Sequence, residues 1–246
     1  MCSSDLRPIE TVNDEVLSWG ARIPESGQDI DMPRIAEMAR RHQPGLLIVD
    51  RTVHGPYENY QTPEQRVPDH QLEYPWEACI TLGSAWGYSK YERLKSSTRI
   101  VHTLIEIVAK GGSLLLGVGP TPDGLLTNDA VQRLQEIGEW TNRNGKAIYG
   151  TRITKHYRDG NTWFTQSKDG NTLYALHCIN QASTAAPLTK VEWEGNEPEK
   201  GSRIILLHTG RPVNWKKEGN KTVIELPRGL PNDLPALAFE IQNPVK

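Results

Sequence analysis

Only three cysteines occur in 246 residues, Cys2, Cys79 and Cys178, and no CxxC pair is among them. That scarcity argues against a zinc site and against a disulfide scaffold. No apolar run reaches the roughly eighteen residues that a membrane-spanning helix needs, so no membrane span is expected. Met1 to Leu6 also lack the basic start and long apolar core of a signal peptide. Charge of one sign is missing too: Lys and Arg number 28 against 30 for Asp and Glu, a net charge of −2. A near balance of this kind gives no electrostatic footprint for nucleic acid or an anionic membrane and leaves a neutral partner as the better fit. GxGxxG, Walker, HExxH and GxSxG sequences are all absent, which removes the common nucleotide, zinc-protease and serine-hydrolase chemistries.

The length exceeds that of a usual single domain, so two domains, or one domain and part of another, are expected. Within it, the run Leu46-Leu47-Ile48-Val49 ends abruptly in Asp50 and Arg51. A continuously apolar strand belongs to a parallel sheet covered on both faces, and its carboxyl end then points toward a ligand crevice. Asp50 and Arg51 are therefore expected at a site, or else form a structural ion pair at a strand end. Asp29 to Pro33 read as a helix start, with Ile35, Met38, Ala39 and His42 on one face and Pro44-Gly45 as the stop. Tyr74 to Leu82 read as a second strand running into Gly83-Ser84-Ala85-Trp86-Gly87-Tyr88. Ser96-Ser97 cap a helix whose Ile100, Leu104, Ile107 and Val108 face inward and which stops at Gly111-Gly112. Ser113 to Val118 form a third strand. A last helix, capped near Thr127-Asn128, carries Val131, Leu134 and Ile137 and closes near Gly145.

This order of helices and strands is that of part of an α/β barrel or doubly wound sheet. Three strands cannot close a barrel, so residues 1–150 are expected to belong to a larger α/β domain. Beyond Gly150 the pattern shifts to six short β-rich runs separated by turn residues such as Asp159-Gly160 and Asp169-Gly170, the signature of an antiparallel β-sandwich over residues 151–246.

Carboxylates are the remaining chemistry. Glu64, between Thr62-Pro63 and Gln65, and Glu77, after Pro75-Trp76, are the best candidates for a proton donor. Glycoside cleavage needs one carboxylic acid to protonate the leaving oxygen and one carboxylate to attack or stabilise the oxocarbenium-like centre. Taken singly, Glu64 has the look of a solvated loop acid, Glu77 of a strand-end acid, and Trp76 and Trp86 of core filler. His54, His102 and His177 show no ligand spacing.

Six segments in order nevertheless resemble family 29 glycoside hydrolases, the α-L-fucosidases. They are Asp50-Arg51-Thr52, Tyr60 to Gln65, Pro75-Trp76-Glu77, Ser84 to Tyr88, Leu104 to Gly112 and Gly117 to Gly124. The resemblance spans about Arg7 to Tyr149 and continues more loosely beyond. It implies a retaining exo-hydrolase of fucosylated oligosaccharides or glycoconjugates, with a (β/α)8-like barrel followed by a β-sandwich and no metal or organic cofactor. Glu64 matches the general acid/base, Arg51 resembles an arginine reaching the fucose pocket, and Trp86 looks like the aromatic packed on the sugar's C5 methyl. Trp76 and Glu77 lie near the site in this pattern without a catalytic role. The resemblance suggests a periplasmic, secreted or lysosomal location, which the sequence itself leaves open. The family's aspartate nucleophile sits in a Trp-Leu-Asp-Gly-Gly-Trp-like segment that Met1 to Leu6 do not resemble, and Asp5 is out of register. The chain is therefore expected to be a C-terminal fragment of the barrel domain plus the β-sandwich, without fucosidase turnover of its own. The competing reading is a carbohydrate-binding module with Trp163, Trp193 or Trp215 exposed in a row; a barrel glycosidase for another sugar is a third.

Overall fold

The computed structural model describes residues 31–50, 55–180 and 188–244, with Asp50 described by its backbone alone. Met1 to Leu6, the segment 7–28, Arg51 and His54 lie outside them. Two compact units divide the chain, one formed by residues 1–63 and 73–77, the other by residues 64–72 and 78–246.

In the first unit, helix α1 (Met32–His42) has Pro33 in its first turn, where the missing N–H costs nothing. Asp31 stands at its N-cap in a left-handed conformation (φ 51°) and makes no side-chain cap, contrary to the capping role expected of an aspartate here. The expected inward face is also corrected. Ala36 is the buried residue, whereas Ile35 and Met38 are 39% and 53% exposed. Periodicity fixes which residues share a helix face but not whether another element covers it. Strand β1 (Val49–Asp50) is shorter than the apolar run Leu46 to Val49 implied and starts at its last residue. It pairs in parallel with β2 (Tyr60–Gln61), and Gln61 pairs with Trp76 at the start of β3 (Trp76–Thr81). Arg40 ties the connection down, its Nη2 donating to the Tyr57 carbonyl at 2.5 Å and to Asn59 Oδ1 at 2.8 Å.

The second unit takes up β3 from Ala78 onward and places β4 (Gly112–Gly117) beside it. Between them runs helix α2 (Ser97–Ala109), whose N-cap Ser96 accepts from the Arg99 amide at 3.1 Å. The expected inward residues Ile100 and Ile107 are buried, and so are Val101, Ile105 and Ala109. The reason is that α2 serves two cores. Ile100 joins Leu82, Ala130, Leu114 and Leu116 on the sheet side, while Val101, Ile105 and Ala109 join Trp140, Trp163 and Leu176 on the other. Helix α3 (Asn128–Asn144) is capped by Thr127, which accepts from Ala130 N. Its Val131 is exposed rather than inward, and Trp140 is the buried anchor, with Nε1 donating to the Ala236 carbonyl at 2.9 Å.

A short 3-10 turn (Gly145–Ala147) leads, among the described residues, to nine antiparallel strands. They are β5 (Thr151–Asp159), β6 (Thr162–Ser167), β7 (Thr172–Cys178), β8 (Lys190–Glu194), β9 (Arg203–Leu206), β10 (Arg211–Val213), β11 (Trp215–Glu218), β12 (Lys221–Glu225) and β13 (Ala236–Gln242). One sheet has the order β10-β9-β13-β7-β6-β5 and the other β11-β12-β8. β5, β10 and β11 were not among the six expected runs. Their polar composition, as in Lys216-Lys217-Glu218, suits edge strands, which hide few apolar side chains and so leave little pattern to read. Phe164, Ala175 and Phe239 from the first sheet share a core with Val191, Trp193 and Ile224 from the second. The class is thus α/β followed by an all-β part.

Candidate active site

The site is organised around the carboxyl end of β3. Its residues alternate: Trp76, Ala78 and Ile80 are buried, while Glu77 and Cys79 between them are half-buried. Glu64 forms an isolated parallel bridge with Cys79. Paired residues of adjacent strands present their side chains on the same face, so Glu64 belongs to the less covered face of the sheet. One residue on, Gln65 has φ 55°, a left-handed conformation that a side chain of this size adopts only when its surroundings hold it. Those surroundings are specific. Gln65 N donates to the Cys79 carbonyl at 2.8 Å, and Gln65 Nε2 donates to Thr81 Oγ1 at 3.0 Å.

Thr81, only 1% exposed, passes the network on by donating from Oγ1 to the Gly83 carbonyl at 2.7 Å. Lys95 Nζ donates to the carbonyls of Thr81 (2.6 Å) and Gly83 (2.5 Å). Burial first, and then the Arg99 guanidinium, hold the Lys95 ammonium below its ordinary pKa, while Glu92 acts in the opposite sense. The Glu92 carboxylate accepts from the amides of Ser84 (2.6 Å) and Ala85 (2.7 Å), fixing the loop that presents Trp86. None of Gln65, Thr81, Glu92 or Lys95 was singled out from the sequence. Only the neighbourhood of Glu64 and Trp86 hinted at them, because their roles arise from contacts up to 16 residues apart.

Trp86 is 47% exposed, so it is a presented ring rather than core filler. Beside it lies Gly117, where a Cβ would sit 3.5 Å from the indole. Two residues later, a Cβ on Gly119 would fall 2.6 Å from the backbone carbon of Gly87 and 2.7 Å from the Tyr88 nitrogen, so the two loops approach too closely for any side chain there. Leu114 and Leu116 turn toward the helices, and Leu115, on the other face of β4, is 49% exposed. Glu64 beside Cys79 and the half-open indole of Trp86 thus lie on segments that flank the second half of β3. Such an arrangement can donate a proton to a ligand lying against an apolar ring.

Trp76 is buried in the core at 2% exposure and offers no platform. Glu77 stays half-buried on the strand. His102 Nε2 lies 2.7 Å from the Pro235 carbonyl, and His177 Nδ1 lies 2.9 Å from Thr162 Oγ1. Among the described residues no cluster of His, Cys, Asp and Glu could hold a metal, and no helix is long and apolar enough to cross a membrane. Burial pushes the Cys178 thiol up to about 12, leaving it inert as a nucleophile at neutral pH.

Solved structures named as α-fucosidases share this arrangement of strands and helices. α-L-Fucosidase isoenzyme 1 from Paenibacillus thiaminolyticus superposes with a TM-score of 0.72 at 28% identity, over 85% of this chain and 52% of that one. The Thermotoga maritima α-fucosidase in complex with fucose does so at 0.71 and 26%, over 89% and 50%. In sequence, the plasma α-L-fucosidase of Rattus norvegicus is 32% identical over 183 residues, which is 71% of this chain and 39% of that protein. The Dictyostelium discoideum α-L-fucosidase is 30% identical over 183 residues, 68% of this chain and 37% of that protein. The family model described as α-L-fucosidase matches residues 10–146, and the chain belongs to that family. It spans about two fifths of the length of these curated relatives.

Proposed function

We propose that this chain carries the acid/base half of a retaining, exo-acting α-L-fucosidase that removes terminal α-L-fucosyl groups from oligosaccharides or glycoconjugates. Residues 1–150 supply the C-terminal part of a (β/α)8-like barrel, and residues 151–246 form a β-sandwich that braces it. Glu64 protonates the glycosidic oxygen as an aspartate, of the kind the family carries in its Trp-Leu-Asp-Gly-Gly-Trp-like segment, forms the fucosyl-enzyme. Glu64 then acts as base toward water, returning the sugar with its configuration retained. Arg51 reaches the sugar beside the reacting centre, where its charge favours an ionised nucleophile. Trp86 takes the C5 methyl on its apolar face, a contact that a hydroxymethyl group would make poorly. This chemistry runs on two carboxylates and draws on no metal or organic cofactor.

The observation that supports the reading is the bridge of Glu64 with Cys79 of β3 together with the half-exposed Trp86 ring set against Gly117 at the end of β4. The binding-module reading fares worse. Trp163 and Trp193 are 5% and 1% exposed, and the half-buried Trp215 donates its Nε1 to the Ser202 carbonyl, so no exposed row of tryptophans exists among them.

The test is kinetic, with this chain joined to a family segment that bears the aspartate. Glu64→Ala is expected to lower kcat/KM on a fucosyl disaccharide by roughly 10²–10⁴-fold, the usual share of general acid–base catalysis. A variant as fast as the wild type removes Glu64 from the chemistry.

A further inference from the structure

Three arginines from separate elements converge on one hollow of the all-β part. Arg143 comes from the last turn of α3, Arg211 opens β10, and Arg228 stands in the turn after β12. With His208, Pro212 and Leu230 they line a cavity of about 400 Å³, and its wall contains no Asp or Glu. None of the three guanidiniums enters an ion pair among the described residues. Composition does not dictate this, since the chain as a whole is slightly acidic. Holding like charges around one hollow costs repulsion that an anion would offset.

The backbone there is braced. Thr209 N and Gly210 N donate to the Leu206 carbonyl at 3.1 and 2.9 Å, and Arg211 N donates to Thr209 Oγ1 at 3.3 Å. Arg143 Nη1 donates to the His208 carbonyl at 3.4 Å, which draws that head group to the rim. Burial, and then the Arg143 charge, hold the His208 imidazole below its ordinary pKa, so the positive charge at neutral pH is that of the guanidiniums. Glu240, in an adjoining cavity that Arg143 also lines, is engaged by Lys146 at 3.5 Å.

We propose that this hollow binds a sulfate or phosphate monoester carried on a saccharide unit. Guanidinium groups present paired N–H donors that match an oxoanion's oxygens. Pro212, Val213, Pro227 and Leu230 supply an apolar wall for the C–H face of a sugar. The volume lies in the range of small-molecule sites and exceeds what a bare oxoanion fills. The site does not depend on the reaction proposed for Glu64.

Calorimetric titration of the full chain in a low-salt chloride buffer tests it, with galactose 6-sulfate, galactose and sodium sulfate as probes. Galactose 6-sulfate is expected to bind, sodium sulfate at least about tenfold more weakly, and galactose not at all. Arg211→Ala and Arg228→Ala each weaken the ester at least about tenfold, the scale of one charge-assisted contact. Arg211→Lys, which keeps the charge and loses the paired donors, weakens it less, and Arg152→Ala, an exposed arginine of β5, leaves it unchanged. Circular dichroism of each variant verifies the fold. The proposal is overturned if galactose 6-sulfate does not bind, if sodium sulfate binds as tightly, or if the folded Arg211→Ala/Arg228→Ala double variant binds like the wild type.

Discussion

His177, on β7, is half-buried with its Nδ1 2.9 Å from Thr162 Oγ1. Burial, with a smaller contribution from the charge of His102, lowers its pKa from 6.5 to about 4. The unfolded chain therefore binds more protons than the folded one between those values, and stability falls as pH drops from about 6.5 to about 4, then levels off with respect to this group. A shift of this size corresponds to a loss of up to roughly 3 kcal/mol. Urea unfolding at a series of pH values checks it. His177→Gln, which keeps a partner for the Thr162 hydroxyl, is expected to flatten the wild-type slope in that window; an unchanged slope assigns the acid sensitivity elsewhere.

The loops after β3 and β4 owe their positions to backbone contact. Because a Cβ at Gly119 meets the Gly87 and Tyr88 backbone rather than a flexible side-chain tip, Gly119→Ala must push the two loops apart. The expected cost is about 1–3 kcal/mol, the range for forced overpacking, together with a shift in Trp86 fluorescence. Gly124→Ala is the comparison: its φ of 77° also disfavours a side chain, but nothing lies near its Cβ, so the Trp86 signal should stay put. Much of this region was legible in the sequence. The helix caps Ser96 and Thr127 and the strand ahead of Trp86 follow from capping and β-run rules acting within a few residues. What stayed hidden was non-local. Gln65 reaches Thr81, and Glu92 reaches back to Ser84 and Ala85, and no local pattern marks either link. For the same reason the faces of α1 and α3 were misjudged at Ile35, Met38 and Val131, which periodicity aligned but no neighbour covers. The buried Trp163 and Trp193 show the converse, bulky residues claimed by cores formed from both ends of the chain segment.

Within residues 78–246, α2 packs against both the β3–β4 side and the all-β part, because Ile100 feeds one core while Val101 and Ile105 feed the other, so the two are expected to unfold as one cooperative body. Ile105 is fully buried, so Ile105→Ala is expected to destabilise this unit by about 2–5 kcal/mol. Far-UV circular dichroism, reporting mainly on strands, and tryptophan fluorescence should lose their signals in a single coincident urea transition that moves as one in the variant. Two separated transitions would mean that α2 does not couple the parts. The proposed function rests, at this scale, on Glu64 as the group that gives and then takes a proton. Azide tests it most directly: added to the Glu64→Ala variant of this chain joined to a family segment that bears the aspartate, acting on a nitrophenyl α-L-fucoside, it needs no base and can replace water on the fucosyl-enzyme. The expected result, read by NMR of the product, is α-L-fucosyl azide with a recovered rate in Glu64→Ala and none with the wild type. Wild-type turnover by Glu64→Ala in the absence of azide, with no fucosyl azide formed, would contradict it.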